Sequence, residues 1–134
     1  MKRFSVLLSV LIFAVCGLTG CEKYSSHYNA VGHVYSGTSD SARTSFMELD
    51  GTEVFKLKCE SGKTAEILYS GKLETGSLTV SYDCGEGKTE LFSLNAGEEI
   101  NACSDPFPAD TVYIIMETGE ACQNGSFSFE ISCD

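Results

Sequence analysis

Apolar and polar residues alternate along much of the chain, which is the pattern of half-buried β-strands. Phe55, Leu57 and Cys59 alternate with two lysines, and a Gly-containing turn follows. The same alternation recurs at 65–69, 78–84, 91–94 and 127–131. Residues 111–117 are apolar on both faces, which favours a central strand. No comparable helical stripe follows residue 21, so the chain is predicted to be all-β.

These strands are predicted to form a single antiparallel β-sandwich of about 7–8 strands over residues 43–134. Residues 21–42 are rich in Ser, Gly, Tyr and Asn with little periodicity, which predicts a flexible tether with at most a short strand at 31–35. The two histidines, His27 and His33, fall in this tether and are expected to be solvated.

The first twenty residues have the pattern of a secretory signal helix. Lys2 and Arg3 precede an apolar run over 4–15 that is shorter than the ~20 residues a membrane span needs. Leu18, Thr19, Gly20 and Cys21 resemble the lipobox of bacterial lipoproteins. That resemblance implies removal of residues 1–20 and a diacylglyceryl or palmitate-type anchor on Cys21. It also implies a membrane-bound, extracytoplasmic location.

The charge balance is strongly acidic, with a net charge of −10 from 9 bases and 19 acids. Loss of residues 1–20 would remove two of the bases and no acid. Nucleic acid is excluded as a partner, because phosphate binding needs clustered Lys and Arg.

Five cysteines follow the lipobox, and disulfides are their expected state outside the cytoplasm. The candidates are Cys59, Cys84, Cys103, Cys122 and Cys133. The odd number leaves at least one of them free, modified or bridged to another chain. No C-x-x-C pair occurs, so zinc-ribbon and thioredoxin-like sites are excluded.

No catalytic motif is present, and neither histidine falls within 43–134, so the chain is predicted not to be an enzyme and to carry no cofactor. Glu98 and Glu99 are adjacent and would point to opposite faces of a strand. With Asp105 and Asp110 they are weak candidates for a Ca²⁺ site, but no EF-hand spacing supports one. The preferred interpretation is that these acids are solvated on a rigid loop and bind no metal.

Binding is the remaining class of function. Tyr69 and Tyr82 share the inward parity of their strands and are predicted to lie in the core, whereas the face of Tyr113 is ambiguous. The absence of Trp weakens a sugar-binding interpretation. The sequence predicts a non-catalytic structural or binding module of the cell envelope. The alternatives are a surface protein that binds a carbohydrate or peptide, marked by an exposed aromatic patch, and a calcium-stabilised module.

The strand-and-turn order resembles small Gram-positive surface lipoproteins of uncharacterised function, and the jelly-roll modules appended to secreted peptidases. The matching residues are Gly76-Ser77-Leu78, Gly87-Lys88, Tyr113-Ile114-Ile115 and Gly125-Ser126-Phe127. The resemblance implies a jelly-roll-like sandwich whose last strand, 125–132, lies between 52–59 and 76–83. That order implies bridges between Cys103 and Cys133, and between Cys122 and either Cys84 or Cys59. The five cysteines depart from the family plan.

Overall fold

A computed structural model describes residues 24–59, 64–108 and 110–133. The lipobox and Cys21 lie outside the described residues. The described chain is built of strands and has no helix: β1 His27–Val31, β2 Val34–Gly37, β3 Ser41–Lys58, β4 Thr64–Asp83, β5 Thr89–Asn95, β6 Glu99–Cys103, β7 Phe107–Pro108 and β8 Thr111–Cys133. Within these residues no helix could cross a membrane.

The strands pair antiparallel in one sheet with β8 at its centre, flanked by β3 and β4 along its length. These three long strands bend, so the sheet folds back on itself into two layers. The front layer contains β2, β6 and the segments 41–46, 123–133 and 64–73. The back layer contains β1, β5 and the segments 52–58, 111–120 and 77–83.

The bends fall at glycines and at irregularities in the strand register. The pairing of β3 with β8 shifts between Leu49 and Thr52, and that of β4 with β8 shifts between Thr75 and Leu78. Gly51 (φ 131°) and Gly76 (φ 98°) adopt backbone conformations that favour glycine at these bends. A Cβ at Gly51 would also lie 2.2 Å from the carbonyl oxygen of His27. We call this end of the sandwich the bend end.

Aromatic rings from the two layers meet in the core. The Phe55 ring of the back layer contacts Phe129 of the front layer, with centroids 5.7 Å apart. Phe92, on β5, stacks on Tyr69 at 5.0 Å. Tyr82 stacks on Phe107 at 5.1 Å. The inward positions of Tyr69 and Tyr82 are therefore confirmed, and burial of these rings is the main apolar contribution to folding.

The all-β fold and its antiparallel pairing are confirmed, but the tether predicted over 21–42, with at most a short strand at 31–35, contains two strands within 27–37 and the start of β3. β1 and β2 are edge strands, one in each layer, that pair with β3. The Tyr35 ring stacks on Phe55 at 5.6 Å, which fixes β2 over the core. Edge strands this short carry little alternation of their own, so the sequence pattern did not reveal them.

The predicted disulfide pairing is also wrong, because Cys59 is bonded to Cys133. The last stretch of β8 runs between 41–46 and 65–73 rather than between 52–59 and 76–83. Cys59 and Cys133 therefore leave the two layers at the same end, opposite the bends, which we call the disulfide end. Here the Ser39 and Asp40 carbonyls also accept hydrogen bonds from the N–H groups of Lys58 and Ile131.

The other predicted cysteine pairs are too far apart. Cys103 pairs with Leu68 on one side of β4, whereas Cys133 pairs with Ala65 on the other side. Two strand spacings of about 4.8 Å each separate β6 from β8, beyond the ~7 Å Cα limit of a disulfide. Cys122 lies at the bend end. Cys84, Cys103 and Cys122 are unbridged, and Cys103 is exposed.

Candidate functional site

A polar groove runs across the outer face of the front layer. Along β8, Phe127, Phe129 and Ile131 point into the core, so Ser126 and Ser128 between them point outward. The neighbouring strands continue this pattern, because Ser70 and Lys72 on β4 alternate with core-facing positions. The groove is therefore a direct product of period-two alternation on adjacent strands.

The strand register places the outward side chains in two rows across the layer. In the first row Ser126 lies between Ser45 and Lys72, and Lys72 pairs with Glu99. In the second row Ser128 lies between Arg43 and Ser70. That row continues to Ser36 at one edge and Asn101 at the other. The rows are about 7 Å apart and the strands about 4.8 Å apart, which gives a regular grid of polar groups.

Small side chains in the middle of this grid leave a depression of about 840 Å³. Its lining residues are Val34, Ser36, Arg43, Thr44, Ser45, Ser70, Gly71, Lys72, Glu99, Ile100, Asn101, Ser126, Phe127 and Ser128. We call this depression the front groove. The longer side chains of Arg43, Lys72 and Glu99 stand beside the serines, so the groove has a floor of hydroxyls and charged flanks.

The floor of the front groove is held from below by close packing. A Cβ at Gly71 would lie 2.2 Å from the Phe127 ring, so the ring occupies the space under this glycine. Phe127 also contacts the rings of Phe46 and Phe92, with centroids 6.3 and 6.4 Å away. The polar face is thus backed by a rigid aromatic layer, which pre-organises the groups above it.

The polar groups of the front groove are available to a ligand. Among the described residues, no side-chain hydrogen bond or ion pair engages Arg43 or Lys72, or the groove serines and Asn101. Two bases elsewhere on the molecule have partners: Lys88 pairs with Glu117, and Lys56 lies 5.8 Å from the Tyr113 ring centroid. Glu99 is the acidic member of the groove lining. Within the lining the two bases, Arg43 and Lys72, outnumber the acid, and outside it Glu130 also faces outward, one row from Arg43.

A second polar cluster lies at the edge between the layers. The Glu53 carboxylate is 2.9 Å from His33 Nε2 and accepts a hydrogen bond of 3.0 Å from Thr44 Oγ1. Thr44 Oγ1 is also 3.2 Å from the same ring nitrogen, Nε2. A nucleophile–histidine–acid relay uses both ring nitrogens, so this cluster lacks relay geometry. His33, which the sequence placed in a solvated tether, is a structural residue.

Besides Tyr82 in the core, whose pKa is raised mainly by burial, two ionisable groups outside the groove have shifted pKa values. Burial, and then the negative charge of Glu53, raise the pKa of Tyr28. Burial raises the pKa of the Cys122 thiol to about 11; a backbone hydrogen bond with Ser77 partly offsets the rise, and the charges of Asp50 and Glu120 add to it. Both shifts keep the neutral form, so neither group is activated as a nucleophile or base.

The weak calcium candidates do not form one site. Glu98 and Glu99 lie at the bend end, where the Glu98 carboxylate accepts a hydrogen bond from the Asn95 N–H. Asp105 and Asp110 lie towards the disulfide end, about 20 Å or more away along β4. Across the described ranges 24–59, 64–108 and 110–133, no group of three His, Cys, Asp or Glu side chains could hold a metal ion.

The sequence-based interpretation missed the front groove, although a signal for it was present. Serines occupy two successive outward positions of β8, Ser126 and Ser128, and one of β4, Ser70. Tyr28, Tyr35, Val31 and Met47 are exposed near β1 and β2 outside the groove, whereas the exposed Val34 side chain belongs to its lining. The aromatic residue in the lining, Phe127, is 3% exposed and points inward.

No protein-family model and no curated protein matches the chain. Similar solved structures include a CBM4 module, at 14% identity over 81% of this chain and 78% of that one, with TM-score 0.44. Another is TmCBM61 in complex with β-1,4-galactotriose, at 13% identity, 82% and 86% coverage, and TM-score 0.45. A third is the pre-peptidase C-terminal domain of a collagenase from Bacillus anthracis, at 16% identity, 72% and 91% coverage, and TM-score 0.48. Because these TM-scores are below 0.5, the likenesses carry no inference about the ligand of this chain.

Proposed function

We propose that this protein is a non-catalytic binding module of the cell envelope that holds an extended carbohydrate chain in its front groove. The observation that carries this proposal is the grid of free hydroxyl, amide and charged groups across five paired strands. Sugar hydroxyls both donate and accept hydrogen bonds, which suits serine and asparagine side chains. The pre-organised floor lowers the entropic cost of ordering these groups on binding.

A carbohydrate suits the groove better than a peptide does. Extended peptides are usually recognised by strand addition at a sheet edge, with pockets for alternate side chains. The front groove lies on a sheet face, where the backbone groups of β3, β8 and β4 already bond to one another. Seven of its fourteen lining residues carry a hydroxyl or carboxamide side chain, which suits the hydroxyls of a sugar.

We further propose that the chain is anchored to the membrane, on the extracytoplasmic side, through a diacylglyceryl group on Cys21. Support comes from the leader pattern and from the position of the first described residue, Tyr24. Its ring packs on Tyr113 with centroids 5.5 Å apart, and its hydroxyl donates to Asp83 at 2.7 Å. These contacts lie on the outer face of the back layer. An anchor three positions before Tyr24 would thus leave the front groove facing away from the membrane.

The assignment of the binding site is tested by a substitution that fills the front groove with a bulky side chain. The protein, purified from its membrane in detergent, is screened against a panel of neutral and charged polysaccharides and titrated with those that bind. Ser128→Tyr should lower affinity at least tenfold, because Ser128 lies at the centre of the grid. Ser93→Tyr is the matched control, since Ser93 is exposed on the outer face of the back layer. Unchanged binding in Ser128→Tyr, or no carbohydrate ligand at all, would contradict the proposal.

The anchor is tested by the intact mass of the protein from its native membrane. The expected species is residues 21–134 carrying a diacylglyceryl group. Cys21→Ser should abolish that modification and release the protein from the membrane, whereas Cys103→Ser should change neither property. An unlipidated wild-type chain would refute the anchor without affecting the groove.

A further inference from the structure

We propose that the front groove selects carbohydrates that carry anionic groups, and that Arg43 and Lys72 each hold one such group. This inference rests on the proposed function and adds the chemical class of the ligand. It starts from the position of the two bases, which lie on β3 and β4 on either side of Ser126 and Ser128.

The spacing of these bases calls for an extended ligand. Arg43 and Lys72 are separated by two strand spacings and by one row of the grid. Their Cα atoms are therefore about 12 Å apart. An oligosaccharide spans this separation, so its anionic groups can reach both flanks while its hydroxyls meet the serines between them.

The composition of the lining favours ionic recognition over stacking. Neutral sugars are commonly held against exposed aromatic faces, but Phe127 is buried under Gly71. The groove instead offers a guanidinium, whose planar fork of N–H donors matches a carboxylate or sulfate, and an ammonium. Exposed charges of this kind contribute modestly one at a time, so both bases and the hydroxyl floor are needed together.

Glu99 sets one limit of the site. It pairs with Lys72 across β4 and β6, yet the two side chains form no ion pair. Its carboxylate repels an anionic group placed beyond Lys72 towards the β6 edge. The anionic groups of the ligand are therefore expected on the Arg43 side of Lys72, with a sugar hydroxyl as the donor to Glu99.

The test uses the detergent-purified protein and two sets of matched probes. The first set contains oligogalacturonate, alginate and hyaluronan oligosaccharides, each beside its carboxyl-methyl ester. The second set is dextran sulfate beside dextran. A charged member should bind at least tenfold more tightly than its neutral counterpart, with affinity that falls as salt is raised. Preference in the first set assigns carboxylates, and preference in the second assigns sulfate esters.

Single substitutions then test which residues cause the preference for the charged probe. Arg43→Ala and Lys72→Ala should each lower affinity for the charged probe about tenfold, and Arg43→Lys should recover part of the loss. Lys58→Ala removes the same charge from an exposed site outside the groove and should change affinity less than twofold. Glu99→Gln should raise affinity for the charged probe a few-fold.

Different outcomes would contradict the two proposals, carbohydrate binding and anionic selection. Equal binding of charged and neutral probes, or unchanged affinity in Arg43→Ala and Lys72→Ala, overturns anionic selection and leaves carbohydrate binding standing. No binding to any probe, charged or neutral, overturns carbohydrate binding and anionic selection together.

Discussion

Glu53 is a buried carboxylate at the edge between the layers, and it is only 3% exposed. Both of its oxygens have hydrogen-bond partners, Thr44 Oγ1 and His33 Nε2. A buried acid is tolerated only when it is hydrogen-bonded or paired. His33 lies in the link between β1 and β2, so this cluster fastens both edge strands to β3. The sequence offered no sign of it, because the partners are separated by up to twenty positions.

Removing one partner of Glu53 should be costly. Thr44→Val keeps the shape of the side chain but leaves a buried carboxylate oxygen without its donor, which should lower the free energy of unfolding by about 1–3 kcal/mol. Thr79→Val is the control, since its hydrogen bond to Ser93 is solvent-exposed and should matter by less than about 0.5 kcal/mol. Urea denaturation measures both. Equal midpoints for the two variants would show that the cluster is not a stabilising one.

The unbridged thiols should differ in reactivity with pH. Only the thiolate is nucleophilic, and burial raises the pKa of Cys122 to about 11. At pH 8 roughly one Cys122 in a thousand is ionised, so iodoacetamide should label exposed Cys103 and spare Cys122. Labelling of Cys122 should then rise about tenfold per pH unit up to its pKa, while the protein stays folded. Denatured protein is the control, in which all three thiols react. Equal labelling of Cys103 and Cys122 at pH 8 in folded protein would refute the shift.

The sequence pattern located strand segments correctly, but it did not show which segments belong to one continuous strand. The alternation at 55–59, 78–84 and 127–131 locates parts of β3, β4 and β8, and these parts are strands. Gly51 and Gly76 are bends within single long strands, which the alternation does not reveal. A local pattern cannot distinguish a bend from a turn, since the difference lies in whether the next segment stays paired with the same neighbour. The wrong order for the last strand, and the wrong disulfides that followed from it, came instead from the jelly-roll resemblance.

The bridge between Cys59 and Cys133 joins the ends of two of these long strands, one in each layer. It closes a loop with a sequence separation of 74, which by loop entropy stabilises the fold by up to about 4 kcal/mol. The double variant Cys59→Ser with Cys133→Ser should therefore unfold at a markedly lower temperature than wild type. Cys103→Ser should leave the melting temperature unchanged.

Reduction provides an independent check of the same bridge. A reductant should lower the melting temperature of wild type and leave that of the double variant unaffected. Peptide mapping without reduction should recover the peptides of Cys59 and Cys133 together. A bridge that includes Cys103 or Cys122 instead would contradict the strand order described here.

At the scale of the molecule, the two faces of the sandwich have different surroundings. The outer face of the back layer carries Tyr24, which packs on Tyr113 and donates a hydrogen bond to the buried Asp83. The outer face of the front layer carries the groove and stays open. With an anchor at Cys21, at most about 10 Å of extended chain separates the lipid from Tyr24. The back layer is then the side held towards the membrane.

This orientation can be measured with a natural reporter, because Cys103 is exposed on the outer face of the front layer. On liposomes that carry the lipidated protein, a bulky maleimide should label Cys103 within twofold of its rate in detergent. The comparison variant is Ser93→Cys in a Cys103→Ser background, which places the thiol on the outer face of the back layer. Its labelling should slow severalfold on liposomes, since the bilayer shields that face. If the labelling rates of both thiols fall equally on liposomes, the molecule has no preferred side towards the membrane. The groove would then stay accessible because the acidic surface is repelled by anionic lipids, and not because of the position of the anchor.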